Sequence, residues 1–148
     1  GGGAYGDKRT TLRRIKRNIG QLPLRLRVRL ALENDDRIYT PEDLLPLCRR
    51  TNIPLVYDVH HHRCNPDNLS ITEASEAALS TWNREPLFHL SSPQYGWNGG
   101  KNRPHHDYIQ LGDFPEPWKK LKITVEVEAK AKAKEEAVLQ LQRDLQLC

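Results

Sequence analysis

The sequence has no apolar run that approaches the roughly 18 consecutive residues of a membrane span. Its N-terminus also lacks the apolar stretch of a secretory signal. These two absences argue against a membrane protein and a secreted precursor. We therefore expect a soluble intracellular protein with no membrane partner, which would be cytoplasmic in a prokaryote and nuclear or mitochondrial in a eukaryote.

Cysteine is scarce, with three widely spaced residues: Cys48, Cys64 and Cys148. An odd number without a CxxC pair argues against both a disulfide framework and a zinc ribbon. We expect reduced thiols with no disulfide partner.

Hydrophobic residues make up only 37% of the 148 residues, and the mean hydropathy is −0.73. This content is low but lies outside the disordered range, so one domain with a modest core is feasible. The formal net charge of +4 fits a polyanionic partner, although many proteins without such a partner carry a similar charge.

A pattern of strand, polar loop and helix recurs along the chain. Alternating or short apolar segments predict four strands, at residues 27–33, 53–58, 86–89 and 122–128. Strands that alternate with helices indicate a parallel α/β sheet.

The helices are predicted from apolar spacing and from their start signals. One amphipathic helix precedes the first strand, and others begin at Thr40 and near Thr72, where N-cap and acidic residues come together. The last helix carries an apolar stripe of Ala137, Val138, Leu141 and Leu145.

Four parallel strands do not close a barrel, because a (β/α)8 barrel needs eight strands and roughly 250 residues. Either the sheet is open or half of the domain is missing. The glycine-rich start of the chain reads like the loop after a strand, which favours the second interpretation. The expected fold class is α/β, with residues 1–148 forming about the last four βα units of a single TIM (β/α)8-barrel domain.

Each predicted strand ends in a residue that can bind a metal ion: Glu33, Asp58, His89 and Glu128. The carboxyl ends of parallel strands meet at one edge of a sheet, so these side chains should converge. Carboxylates and imidazoles together suit Mn²⁺, Zn²⁺ or Fe²⁺. With His61 and His105 added, the set could serve two or three ions, and phosphodiester hydrolysis is the natural reaction class.

Each of these residues also has a plainer interpretation. A single acid after a strand is more often a helix cap or a turn residue. Of the three adjacent histidines, His60, His61 and His62, at most one or two can point at one metal ion, and Glu126 competes with Glu128 for the last ligand position. The coincidence over four strands is what favours a metal site.

Basic residues in presumed loops after strands, Lys8, Lys101 and Arg103, could meet DNA phosphates. Together with Tyr5 they are the predicted DNA contacts. Trp97 and Tyr95 could stack on bases or anchor their glycine-rich loop. The basic residues of the first helix are interpreted as a solvated face.

Several segments together resemble the C-terminal half of the UV damage endonuclease family. The resemblance covers nearly the whole chain, and its LENDD and D-x-HHH segments are highly specific in combination. The segments lie at residues 2–8, 30–36, 39–45, 58–62, 88–92 and 128–130.

The resemblance implies a TIM barrel related to the metal-dependent apurinic endonucleases, which nicks damaged double-stranded DNA 5′ of UV photoproducts with a cluster of divalent ions, commonly Mn²⁺. It implies that four residues are catalytic: Glu33, Asp58, His89 and Glu128. It implies six metal ligands: Glu33, Asp58, His61, His89, His105 and Glu128. His105 is chosen because the family has a histidine two residues before Asp-Tyr-Ile, and His106 is the alternative.

The chain departs from the family in three ways. The N-terminal barrel half, with its own ligands and lesion-probing residues, is expected as a complementing partner. The family has a modified lysine where this chain has Leu87. The Lys-Ala repeat after Glu128 leaves Glu126 open as the ligand.

Two other functions are consistent with the pattern. The first is a metal-dependent sugar isomerase or epimerase of the xylose-isomerase type. The second is a non-catalytic fragment of an endonuclease, which would bind metal or DNA without cleaving it.

Overall fold

Four parallel strands form one sheet in the order β1-β2-β3-β4. The structure is a computed structural model and describes residues 3–4, 6–129 and 133–146. Because strand order follows chain order, each strand pairs with the next one along the chain, as in the wall of a barrel. The strands are β1 (Leu32–Glu33), β2 (Leu55–Asp58), β3 (Leu87–Leu90) and β4 (Thr124–Val127).

Helices connect and cover these strands. None of them, among the described residues, is long and apolar enough to cross a membrane. Two short 3-10 helices, Leu111–Asp113 and Glu116–Lys120, lie between β3 and β4. The α-helices are α1 (Lys8–Gln21), α2 (Leu24–Arg27), α3 (Pro41–Thr51), α4 (Val59–Cys64), α5 (Ile71–Leu79) and α6 (Lys134–Gln146).

Helix α3 begins where the sequence supplies a complete N-cap. The Thr40 hydroxyl accepts a hydrogen bond from the Asp43 backbone N–H at 3.3 Å, and the Asp43 carboxylate accepts one from the Thr40 N–H at 3.1 Å. Pro41 takes the first helical position, where its missing N–H costs nothing. The helix ends at Asn52, whose φ of 54° is a left-handed conformation that asparagine tolerates. These signals set the two ends of α3, which packs against β1 and β2.

The core lies between the sheet and the helices that cover it. Tyr57 and Phe88 are fully buried and meet edge to face, with ring centroids 5.6 Å apart. Trp118 packs on both rings, and its Nε1 donates to Ser75 Oγ of α5 at 2.8 Å. Each such aromatic pair contributes roughly 0.5–1.5 kcal/mol beyond its burial. This packing holds β2 and β3 in place for the side chains on their other face.

The structure corrects the first predicted strand, residues 27–33, because only its last two residues pair with β2. The residues before them form the end of α2 and a turn. Pro23 fixes the backbone at the start of α2, and the Val28 N–H donates to the Leu24 carbonyl at 3.0 Å. Val28 is therefore 56% exposed instead of facing the core.

The apolar stripe predicted for the last helix is only partly correct. Ala137 and Leu141 are buried, whereas Val138 is 36% exposed. Val138 is turned by about 100° from Ala137 around the helix axis, which takes it off the buried face. Helix α6 therefore packs against β4 through a narrower face than the sequence predicts.

Replacing Thr40 with alanine tests the cap of α3. The change removes the acceptor of the Asp43 N–H, so the free energy of unfolding should fall by about 1 kcal/mol in urea denaturation. Thr72→Ala is the matched control, because Thr72 is an exposed residue within α5. There, the higher helix propensity of alanine should leave stability equal or slightly higher. Equal decreases in the two variants would contradict the capping account.

Candidate metal centre

The register of the sheet brings the predicted strand-end residues to one edge. Asp58 pairs with His89 across β2 and β3, and His89 pairs with Glu126 of β4. Glu33 ends β1 at the same edge. Glu128 lies just beyond β4, where its N–H donates to the Leu90 carbonyl at 2.9 Å and continues the ladder. Parallel pairing thus places all four predicted residues beside one another, as the strand pattern predicts.

A side-chain amide ties the ends of β1 and β2 together. Asn34 Nδ2 donates to the Asp58 carbonyl at 2.8 Å, and the Asp58 N–H donates to Asn34 Oδ1 at 2.9 Å. Asn34 is only 1% exposed. The amide makes the two bonds that another strand residue would make through its backbone. It therefore fixes the spacing between Asp58 and Glu33, the residue before Asn34.

The first group of ligand atoms combines three carboxylates and one imidazole. Its members are Glu33, Asp58, His89 and Glu128, with one ligand atom of each within 4.8 Å of all the others. His89 Nδ1 lies 3.3 Å from Glu33 Oε1 and 3.4 Å from Glu128 Oε1. Ligand atoms that each lie ~2.0–2.2 Å from one ion are at most ~4.4 Å apart. The group therefore needs only small shifts to surround an ion.

A second group shares one member with the first. It consists of His61, His105 and Glu128, again within 4.8 Å of one another. His105 Nδ1 lies 3.8 Å from Glu128 Oε2, whereas His89 lies against the other oxygen of the same carboxylate, Oε1. A carboxylate that faces two groups can bridge two ions, which lie ~3.5–4 Å apart in two-metal hydrolases. The six predicted ligand residues thus fall into two adjoining groups that share Glu128.

The donor atoms fit a divalent metal. Asp58 is fully buried, and its Oδ1 accepts the His61 backbone N–H at 2.7 Å as the N-cap of α4. Its other oxygen, Oδ2, is buried without a hydrogen bond among the described residues, and lies 3.4 Å from His61 Nδ1. A buried carboxylate oxygen without a hydrogen bond is costly, and a metal ion between the strand ends would coordinate it. Carboxylates with imidazoles and no thiolate suit Mn²⁺, Zn²⁺ or Fe²⁺.

In the metal-free protein, protons on the neighbouring side chains offset the negative charge of the carboxylates, and the pKa values of the group follow from this. Burial raises the pKa of Asp58 to about 6 despite the nearby His61. Burial would also raise the pKa of Glu33, but hydrogen bonds from His61 and His89 outweigh it and lower the value to about 2. Burial lowers the pKa of His61, but Glu33 and Asp58 together raise it to about 9. A metal ion would displace the protons of both imidazoles.

Comparison with known proteins places this chain in a family. A family model described as UV-endonuclease UvdE matches residues 1–148. The chain belongs to the UV-endonuclease UvdE family. It is 38% identical over 120 residues to a protein named UV DNA damage endonuclease from Bacillus cereus (strain G9842), a match that covers 79% of this chain and 37% of that protein. A protein of the same name from Bacillus mycoides (strain KBAB4) is 36% identical over 147 residues, with 95% and 45% covered.

The fold is similar to that in the crystal structure of SacUVDE, with a TM-score of 0.84 and 27% sequence identity. The match covers 98% of this chain and 49% of that chain. Together with the four-stranded parallel sheet, this likeness confirms the half-barrel fold class. The chain spans less than half the length of each of these UvdE relatives.

The three histidines of the D-x-HHH segment lie on helix α4, and each has its own surroundings. His61 Nδ1 lies 3.4 Å from Glu33 Oε1, and its ring borders the second group. His60 and His62 are buried and hydrogen-bonded elsewhere in the fold. Of the three, only His61 belongs to a ligand group. A helix explains this separation, because successive side chains point about 100° apart.

The structure gives the positions of the residues behind three questions that the sequence leaves open. His105 belongs to the second group, whereas His106 Nδ1 accepts the Tyr108 N–H at 2.9 Å. Glu128 belongs to both groups, whereas Glu126 is more than half exposed and belongs to neither. Leu87, where the UvdE resemblance implies a modified lysine, lies two residues before His89 on the same face of β3 and offers no ligand atom.

The residues predicted to contact DNA lie in different parts of the structure. Lys8 is the first residue of α1, so its prediction as a loop residue is wrong, and its Nζ donates to Asp43 at 2.6 Å. Lys101 and Arg103 are exposed and line a cleft of about 440 Å³ together with Arg37. Tyr5 lies outside the described residues.

The aromatic residues of the same loop differ in role. Trp97 Nε1 donates to Asp113 Oδ1 at 2.7 Å, and its ring meets the His60 ring at 5.3 Å. Trp97 therefore anchors the loop to the fold. Tyr95 is 57% exposed and can contact a partner.

The raised pKa of His61 gives a pH dependence for the metal-free protein. The folded chain holds this proton up to about pH 9, against 6.5 for an ordinary histidine. The resulting stabilisation is therefore complete below about pH 6.5 and disappears as the pH rises through 9. Urea denaturation with EDTA should show the free energy of unfolding falling over this window. Glu33→Gln should flatten the fall, and an unchanged slope in that variant would contradict the assignment.

Proposed function

We propose that this chain is the C-terminal part of a DNA-repair endonuclease that nicks double-stranded DNA 5′ of UV photoproducts. In this proposal residues 1–148 form one part of a single TIM-barrel domain. The observation that carries the proposal is the pair of ligand groups joined at Glu128, in a chain of the UvdE family. Membership of that family favours the nuclease over the sugar isomerase.

The six side chains would hold the ions. Glu33, Asp58, His89 and Glu128 would hold one, and His61 and His105 together with Glu128 would hold a second. We propose Mn²⁺ as the metal, with two or three ions in the complete site. When bound, such ions generate hydroxide near neutral pH and stabilise the oxygens of an in-line phosphoryl displacement.

The protein's own contribution is to fix these ligands and their charge. Asn34 holds the backbone of Asp58, and the His61 N–H at the start of α4 holds its carboxylate oxygen Oδ1. The other oxygen, Oδ2, lies 3.4 Å from His61 Nδ1. Glu33 is shared between His61 and His89 in the metal-free state, so it is already aligned with both. A site that is aligned before the ions bind expends little free energy in reorganising its ligands.

The DNA backbone would meet the exposed basic side chains of the loop after β3. We assign this role to Lys101 and Arg103, and to Lys8 and Tyr5 at the start of the chain. Lys8 would have to exchange its bond to Asp43 for a phosphate. The protein would act inside the cell, in the cytoplasm of a prokaryote or the nucleus or mitochondria of a eukaryote.

The remainder of the barrel would come from a complementing N-terminal half. Within the described residues the sheet has two edges, β1 and β4, and the relatives are more than twice as long as the part matched. That same coverage favours a second candidate, in which this chain alone binds metal or DNA but does not cleave it. The two candidates differ in one expectation: a completed barrel should cleave DNA only if the first is correct.

The proposal is tested by nicking of UV-irradiated supercoiled plasmid in the presence of Mn²⁺. The 148-residue chain is assayed alone and as a fusion to the part of the B. cereus relative that the match does not cover. The fusion should nick irradiated plasmid in preference to intact plasmid. Asp58→Asn in the fusion should lower the rate by at least ~100-fold, because losing a ligand should cost more than losing a residue that only orients one. A folded fusion that binds Mn²⁺ but does not nick would favour the non-catalytic candidate.

The DNA contacts are tested by the salt dependence of binding to a UV-irradiated duplex. Lys101→Gln with Arg103→Gln should lower the slope of log affinity against log salt concentration by about 2, one for each phosphate that is no longer neutralised. Lys16→Gln with Arg17→Gln is the matched control, because it removes the same charge from the exposed face of α1. Equal changes in both double variants would indicate a general charge effect and contradict the assigned contacts.

A further inference from the structure

His60 connects helix α4 to the loop that carries His105. Its Nδ1 lies 2.6 Å from Ser91 Oγ, just after β3, and its Nε2 lies 2.6 Å from the carbonyl oxygen of Asn102. The side chain is fully buried. A carbonyl only accepts hydrogen bonds, so Nε2 carries the proton that is donated to Asn102, and Nδ1 pairs with the serine hydroxyl.

Three residues of the loop between Pro93 and His105 bond to the rest of the fold: Trp97 to Asp113, Arg103 to Asp36 and Asn102 to His60. Its two ends form an antiparallel bridge with each other. Inside the loop, the His60 ring lies 5.3 Å from Trp97 and hydrogen-bonds to Asn102. It also lies 5.1 Å from the His105 ring. One imidazole therefore touches both the inside of the loop and the ligand residue at its end.

We propose that His60 is a positioning residue, which holds this loop against α4 so that the His105 imidazole stays beside His61 and Glu128. His60 would not bind the ion itself, because both of its ring nitrogens are already engaged. Its effect would be to make the second ligand group complete. This inference rests on the proposed function for the metal, but its effect on the loop can be measured without any metal.

His62 provides an internal comparison on the same helix. It is also buried, with Nδ1 2.7 Å from Tyr57 Oη and Nε2 3.0 Å from Asp67 Oδ1. Both of these partners lie outside the loop. Removal of the His62 bonds should therefore loosen α4 from β2, whereas removal of the His60 bonds should loosen the loop.

Two conservative substitutions separate the two bonds of His60. A glutamine amide nitrogen can occupy the place of Nε2, whereas an asparagine amide reaches only the place of Nδ1. His60→Gln should therefore keep the bond to the Asn102 carbonyl, and His60→Asn should break it while keeping the one to Ser91. Rescue by glutamine, but not by asparagine, is the pattern that a role in holding the loop predicts.

Mn²⁺ binding to the 148-residue chain, measured by calorimetry and electron paramagnetic resonance, gives the first readout. The unsubstituted chain should bind two ions. His60→Asn should weaken the second by about 10–100-fold, the usual effect of removing a residue that orients a ligand, and leave the first unchanged. His60→Gln should restore the second, and His62→Asn should not affect the two ions differently. If His60→Asn binds the second ion as tightly as the unsubstituted chain does, the proposal is overturned.

Backbone hydrogen exchange in EDTA gives the second readout, which does not depend on the metal. His60→Asn should speed exchange of the Gln94 and His106 N–H groups, which bond across the base of the loop, and His60→Gln should not. Unchanged exchange in His60→Asn would also overturn the proposal. A chain that binds no Mn²⁺ at all would contradict the proposed function, while exchange would still decide the role of His60.

Discussion

The pairing of the Asn34 side chain with the backbone of Asp58 is the interaction on which the site depends. Strand β1 has only two residues, Leu32 and Glu33, so its ladder with β2 is short. The buried amide adds two hydrogen bonds at the strand end, each contributing on the order of 1 kcal/mol. Because α4 begins immediately after Asp58, the same pairing also sets the position of His61. Two candidate ligands on two strands and one on a helix are thus held in place by one asparagine.

Charge is the second constraint on the strand ends. Three carboxylates meet there, and one of them, Asp58, is fully buried. Such a cluster is stable only if positive charge lies among the carboxylates or if some of them take up protons. In the metal-free protein, His61 and His89 supply that charge, and their pKa values are raised as a result. Metal binding would replace these protons, so affinity for the metal and pH are linked.

Much of the fold and of the candidate site follows from the sequence, for physical reasons. Parallel strands alternating with helices bring strand ends together, so Glu33, Asp58, His89 and Glu128 can be grouped from their positions alone. His61 and His105 require the family resemblance as well, because no period relates a helix or loop residue to a strand end. The failures also have physical causes. Residues 27–31 alternate like a strand, but Pro23 starts a short helix just before them, and pairing with β2 begins only at Leu32. The role of Asn34 cannot be predicted from the pattern of strands and helices. Its side chain, rather than its backbone, makes the hydrogen bonds that continue the β1–β2 ladder.

We propose that the strand ends, His61 of α4 and His105 form two adjoining metal sites. Anomalous X-ray diffraction from crystals grown with Mn²⁺ measures this directly. The account predicts one anomalous peak among Glu33, Asp58, His89 and Glu128, and a second among His61, His105 and Glu128. Crystals of a chain saturated with Mn²⁺ that show no anomalous peak within bonding distance of these residues would contradict it.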